Sequence, residues 1–148
     1  MKTENRVILL VEDNASDVEL TKRALLKENI TNEVVVAEDG QEALNYMFGE
    51  GEYHGRKVHQ LPALVLLDIN LPIIDGIEVL RRIRQDPRTH RQLVVILTSS
   101  KEEQDILKSY DLGVNSYIRK QVDFNQFSEA IRCLGMYWLV INEPPPSR

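Results

Sequence analysis

Asp68 closes an unbroken apolar run, Leu64-Val65-Leu66-Leu67, and is followed by Ile69-Asn70-Leu71-Pro72. An ionisable side chain in such a setting is costly unless it is paired, solvated or metal-bound. A second apolar run, Val7-Ile8-Leu9-Leu10-Val11, ends the same way in Glu12-Asp13. Three clustered carboxylates repel one another and need a cation to hold them together. All-oxygen ligation by carboxylates, a carbonyl and water suits Mg²⁺, which shares ligands readily with a phosphate. No histidine or cysteine belongs to the set, so zinc is not expected. A carboxylate can also act as the nucleophile that takes a phosphoryl group. The incoming phosphoryl oxygens then need positive charge and donors. Thr98 after an apolar run and Lys120 at the end of another expected strand supply a hydroxyl and an ammonium. Asp68, the central residue, is the expected nucleophile, with the acidic pair holding the metal.

These side chains must be delivered to one place. Apolar runs alternate with helical patterns, which favours a parallel sheet covered on both faces. The expected strands are residues 6–12, Glu33–Ala37, Ala63–Asp68, Gln92–Leu97 and Asn115–Arg119. Ser16-Asp17-Val18-Glu19 reads as a capping box opening a first helix to about Glu28. Asp39-Gly40 reads as a turn before a helix from Gln41 to Phe48. Asp75-Gly76 opens a third helix that Asp86-Pro87 ends, and Lys101 to Leu112 forms a fourth closed by Gly113. A fifth begins after Asp123 and runs to about Ile141, where Glu143-Pro144-Pro145-Pro146 stops it. Gly49 to Pro62 is long for a connection in a compact domain. It reads as a surface insertion or a partner-contact loop. Strand ends in parallel α/β sheets form the edge where ligands bind. Singly, an acidic pair is often a cap, a threonine a turn residue and a lysine a solvated one. Their joint placement on successive strand ends is the signal.

The chain of 148 residues suits one domain, with a core over about 6–141 and a Pro-rich tail over 142–148. A net charge of -5, without a basic run interleaved with aromatics, argues against a nucleic-acid binder. No signal segment and no apolar run of about 20 residues is present, so neither export nor a membrane span is expected. Cys133, the one cysteine, cannot form an internal disulfide. A cytoplasmic protein is the expectation.

The matched motifs are Val11-Glu12-Asp13-Asn14, Asp68-Ile69-Asn70-Leu71-Pro72 with Asp75-Gly76, Thr98-Ser99, and Tyr117-Ile118-Arg119-Lys120. Together they resemble the receiver domain of two-component response regulators, over roughly residues 6 to 135. The resemblance implies an α/β, doubly wound, flavodoxin-like fold: five parallel strands in the order 2-1-3-4-5, with five helices. It implies that Asp68 is the phosphoacceptor and that Glu12, Asp13, Asp68 and the backbone carbonyl of Asn70 hold Mg²⁺. It implies that Lys120 pairs with the phosphoryl group and that Thr98 and Tyr117 form a switch pair. Small Ser99 leaves the site open to a donor histidine or attacking water, and Ser100 occupies a position that tunes dephosphorylation. The chain departs from the family at Gln121, where a proline with a cis bond commonly follows the lysine. A cis bond before a non-proline costs about 3–4 kcal/mol, so this loop is either strained or trans and rearranged. The loop 49–62 and the ending Gly135-Met136-Tyr137-Trp138-Leu139 through Asn142-Glu143-Pro144-Pro145-Pro146 carry a narrower resemblance, to small regulators that partner cyanobacterial phytochrome histidine kinases.

No segment after the fifth helix is long enough for an output module, so output is expected through a protein surface. Phe124, Phe127, Ile131, Leu134 and Trp138 follow helical spacing and read as a core face. Cys133, Met136, Tyr137, Leu139, Val140 and Ile141 make the final turns apolar nearly all round, which calls for a cover. A homodimer through this region is the first expectation. A partner kinase or effector is the second, and a folded-back tail the third. His54, His59 and His90 lie in polar stretches and read as solvated. Two rival functions remain. An aspartyl phosphatase needs a second aspartate two residues after the nucleophile, and Asn70 stands there. A degenerate receiver would dock without phosphorylation, and Gln121 is its motive.

Overall fold

Five short segments, four of them apolar or nearly so, become the strands of one parallel sheet: β1 (Ile8–Val11), β2 (Val34–Ala37), β3 (Leu64–Leu67), β4 (Val94–Thr98) and β5 (Ser116–Arg119). The computed structural model describes residues 6–58, 60–99, 102–120 and 123–141. The sheet order is β2-β1-β3-β4-β5, as the resemblance implied. Every residue of β1, β3 and β4 is buried, which is why these strands read as continuous apolar runs. The edge strands β2 and β5 are mostly half-buried.

Alternation along the strands divides the core in two. Leu9, Val11, Val65, Leu67 and Ile96 pack with α2 (Gly40–Phe48) and α3 (Gly76–Gln85). Ile8, Leu10, Leu64, Leu66, Val95 and Leu97 pack with α1 (Ala15–Lys27) and α5 (Phe124–Leu134). Burial of these chains is the main driving force, about 25 cal/mol per Å² of apolar surface. A fourth helix, α4 (Glu103–Asp111), lies beside α3.

Several expected boundaries shift for identifiable reasons. Asn14, not Ser16, caps α1: its side-chain oxygen accepts the Asp17 N–H at 3.0 Å. Asp39 is likewise a cap rather than a turn residue, accepting the Glu42 N–H at 2.7 Å, so Gly40 is already helical. Each strand starts one or two residues later than expected, β1 and β3 end one residue earlier, and β4 runs on to Thr98. The flanking backbone is still bonded, the Ala63 N–H to the Val7 carbonyl at 2.8 Å and the Ile8 N–H to the Glu33 carbonyl at 2.9 Å. The fifth helix is α-helical to Leu134 and then π-helical over Gly135–Ile141.

The connection after α2 is packed onto that helix. Gly49 closes α2 in the left-handed region, and a 3₁₀ turn follows at Gly51–Tyr53. The Tyr53 ring meets Tyr46 edge-on at 5.0 Å, and its hydroxyl donates to Glu42 at 3.1 Å. Arg56 stacks over the other partner, Tyr46, at 4.2 Å from the ring centre. His54 and His90 are exposed, as expected. The readings of His59, Ser100, the Lys120–Gln121 peptide and the Pro-rich tail lie outside the described residues, as do the side chains of Leu139, Val140 and Ile141.

Candidate functional site

The sheet register sets the site. Val11 pairs with Leu67, so Glu12 and Asp68 leave adjacent strands at the same level. The Asp68 N–H donates to the Val11 carbonyl at 3.1 Å and fixes that alignment. On the other side the Lys120 N–H donates to the Thr98 carbonyl at 2.8 Å. Four strand ends therefore share one rim. It lies where the order reverses about β1, the crevice in which open α/β sheets bind ligands.

Two glycines let helices close against this rim. A Cβ on Gly76 would lie 2.0 Å from the Asp68 carbonyl oxygen. One on Gly40 would lie 1.9 Å from the Ile74 carbonyl oxygen. Only a residue without a side chain permits such approach. The first turns of α3 and α2 thus abut the backbone that carries Asp68 and the loop after it.

Asp68 is 6% exposed. Its Oδ1 accepts the Thr98 hydroxyl at 2.6 Å and the Asn70 N–H at 3.3 Å, and its Oδ2 accepts Lys120 Nζ at 3.2 Å. Lys120 Nζ also donates to Glu12 Oε1 at 2.5 Å and to Asp17 Oδ2 at 2.9 Å. The other Glu12 oxygen accepts the Asn14 N–H at 3.2 Å. Asp13 is exposed at the mouth, and Glu12, Asp13 and Asp68 each offer an oxygen within 4.8 Å of the others. Asn70 and Ser99 are exposed beside them, and Tyr117 is half-buried against the α2–α3 core.

The electrostatics follow from burial. Desolvation pushes the Glu12 carboxyl up to about 7; the Asp68 charge adds to this and the Lys120 hydrogen bond opposes it. For Lys120 burial is the largest single effect and lowers its pKa. The hydrogen bonds from Glu12 and Asp17 and the Asp68 charge outweigh it and hold the amine above its ordinary value. The ammonium is the counter-charge to a carboxylate cluster made of hard oxygen donors, which is the ligand chemistry of a small divalent cation.

The sequence does not single out Asp17. Its place in the first turn of α1 reads as part of a helix cap, and nothing local shows that its carboxylate reaches Lys120 at the end of β5.

The response regulator receiver domain profile matches residues 8–132. The chain belongs to that family. The receiver is 38% identical to the response regulator Rcp1 of Synechocystis sp. over 134 residues, 90% of this chain and 89% of that one. The crystal structure of the phosphorylated cyanobacterial phytochrome response regulator RcpA matches the receiver with a TM-score of 0.87 at 42% identity, covering 96% of this chain and 99% of that one. The Mn²⁺-bound form of Rcp1 matches with a TM-score of 0.85 at 37% identity, covering 95% and 99%. Among the described residues no helix is long and apolar enough to cross a membrane.

Proposed function

We propose that this receiver takes a phosphoryl group on Asp68 from a phosphohistidine of a phytochrome-type sensor kinase in the cytoplasm, and that it signals as a single domain through a changed protein surface. The observation that carries this is the Asp68 carboxylate, buried at the rim with the Thr98 hydroxyl on one oxygen and the Lys120 ammonium on the other. An Asp68 oxygen attacks phosphorus. The phosphorus–nitrogen bond of the donor breaks as the phosphorus–oxygen bond forms, and the leaving imidazole nitrogen takes a proton from solvent. Thr98 and Lys120 then donate to phosphoryl oxygens in place of Asp68. Asn70, through its N–H, steadies the carboxylate before attack.

Glu12, Asp13 and Asp68, with the Asn70 backbone carbonyl, would hold Mg²⁺, which supplies neutralisation of phosphoryl charge when bound. The oxygen-only donor set and the Mn²⁺-bound form of a relative support that assignment. The kinase class rests on likeness to Rcp1 and RcpA over nearly the full length of each. Phosphorylation adds about -1.5 to -2 charge. That charge biases two arrangements of Thr98 and Tyr117. The protein is a phosphoacceptor rather than a free-standing enzyme, with self-dephosphorylation at the same site.

Incubation with acetyl phosphate and Mg²⁺ tests the reading. One phosphoryl group should appear by mass, should depend on the divalent cation, and should be released by hydroxylamine, as an acyl phosphate is. A protein that stays unmodified by acetyl phosphate and by a phosphorylated kinase would sink it.

Output through a second copy is part of the proposal. Met136 and Tyr137 are each about half exposed just beyond α5, next to exposed Cys133, while Trp138 folds back toward the core. Sedimentation at rising concentration should show a dimer; a monomer throughout, with and without phosphorylation, would remove this surface from the account.

A further inference from the structure

Lys120 Nζ has three hydrogens to donate, and three carboxylates take them: Glu12 at 2.5 Å, Asp17 at 2.9 Å and Asp68 at 3.2 Å. Two of these partners are committed elsewhere under the reading above, on which this inference rests. Asp68 becomes an acyl phosphate, and Glu12 turns to the divalent cation. Asp17 is left with neither task. Its backbone is pinned, because the Asn14 side chain caps its N–H at 3.0 Å. It sits on the solvent side of the ammonium, half-exposed where Glu12 and Asp68 are buried. A lysine needs such a partner. Its four-carbon stem is flexible, and holding it in one geometry costs side-chain entropy.

We propose that Asp17 is the positioning residue for Lys120, the one carboxylate that keeps the ammonium over the phosphoacceptor while its other two partners are exchanged for metal and phosphoryl group. The competing account makes Asp17 an acid in the first turn of α1, stabilising only that helix by its charge. The two accounts part at Lys120. A helix-dipole role leaves the ammonium and the phosphorylation rate untouched.

The test compares the parent with Asp17→Ala, Asp17→Glu and Glu19→Gln, the last removing an exposed acid from the same end of α1. In Mg²⁺-loaded protein the Lys120 Nζ–H signal in ¹H–¹⁵N spectra should be present in the parent and lost to water exchange in Asp17→Ala. The rate of modification by acetyl phosphate should fall about tenfold, the loss of one charge-assisted hydrogen bond. Asp17→Glu should recover both readouts and Glu19→Gln should change neither. A retained Lys120 signal with an unchanged rate in Asp17→Ala overturns the proposal, as does an equal effect from Glu19→Gln. Should the parent take no phosphate, the Asp68 reading fails, and the Lys120 signal still decides the role of Asp17.

Discussion

Asp68→Asn should give a folded protein that no longer takes phosphate. The substitution keeps size and shape, so the buried pocket stays filled. The amide oxygen still accepts the Thr98 hydroxyl, which lies 2.6 Å from Asp68 Oδ1 in the parent. Lys120 keeps Glu12 and Asp17. What disappears is the proposed nucleophile: an amide has no anionic oxygen to attack phosphorus. Modification by acetyl phosphate should drop below about a thousandth of the parent rate, as for other removed nucleophiles. Circular dichroism should be unchanged. The substitution also removes a charge that raises the Glu12 pKa, so that carboxyl should move down from about 7. An adduct that persisted would have to sit on another carboxylate of the rim, and would refute the assignment of Asp68.

Lys120→Met should be the most damaging change to stability among the site residues. It removes the cation from two buried carboxylates, Glu12 and Asp68, and a methionine stem replaces only the apolar part. Breaking a buried pair from one side costs about 3–5 kcal/mol; here about 3 is expected because the ammonium is partly solvated. Denaturant titration without metal measures it. The loss should depend on pH. The Glu12 carboxyl is raised from 4.5 to about 7 in the folded protein. A raised acid favours folding when protonated: its contribution is whole below about 4.5 and is lost as pH rises through 7. Without the Lys120 hydrogen bond the Glu12 pKa rises further, so the deficit against the parent should widen from acid to neutral pH. Saturating Mg²⁺ should recover part of it, because a cation bound only by the folded state stabilises that state. A variant as stable as the parent at neutral pH without metal would show that the carboxylates are not held by Lys120.

The inner strands were legible because both faces of a doubly covered sheet are apolar, so β1, β3 and β4 are uninterrupted runs ended by the first polar residue. That rule located Glu12, Asp68 and Thr98. Lys120 follows the mixed edge strand Ser116–Arg119, which that rule does not mark. The strand limits were off by a residue or two, although backbone bonding reaches past them, as from the Ala63 N–H to the Val7 carbonyl. The caps were harder. Ser16 and Asn14 are both good caps by type, and only the path of the chain leaving β1 selects Asn14. Asp17 was hidden for a related reason. Its partner is 103 positions away in the chain, and its local context already offered a sufficient explanation. The π-helical winding after Leu134 has no sequence signature at all; it becomes visible only as hydrogen bonding and packing, where a Cβ on Gly135 would run into Ile30.

The close seats of Gly40 and Gly76 have a mechanical meaning. They leave no slack behind Asp68: its carbonyl is backed by the start of α3, and Ile74 by the start of α2. Under the proposed phosphorylation, a group attached in front of Asp68 meets a backed loop on the α3 side. The side expected to yield is the opposite one, across Thr98 to β5, an edge strand flanked by a single neighbour in the sheet. In that reading the site works like a press with one fixed jaw, and a displacement made at Asp68 should emerge on the moving side.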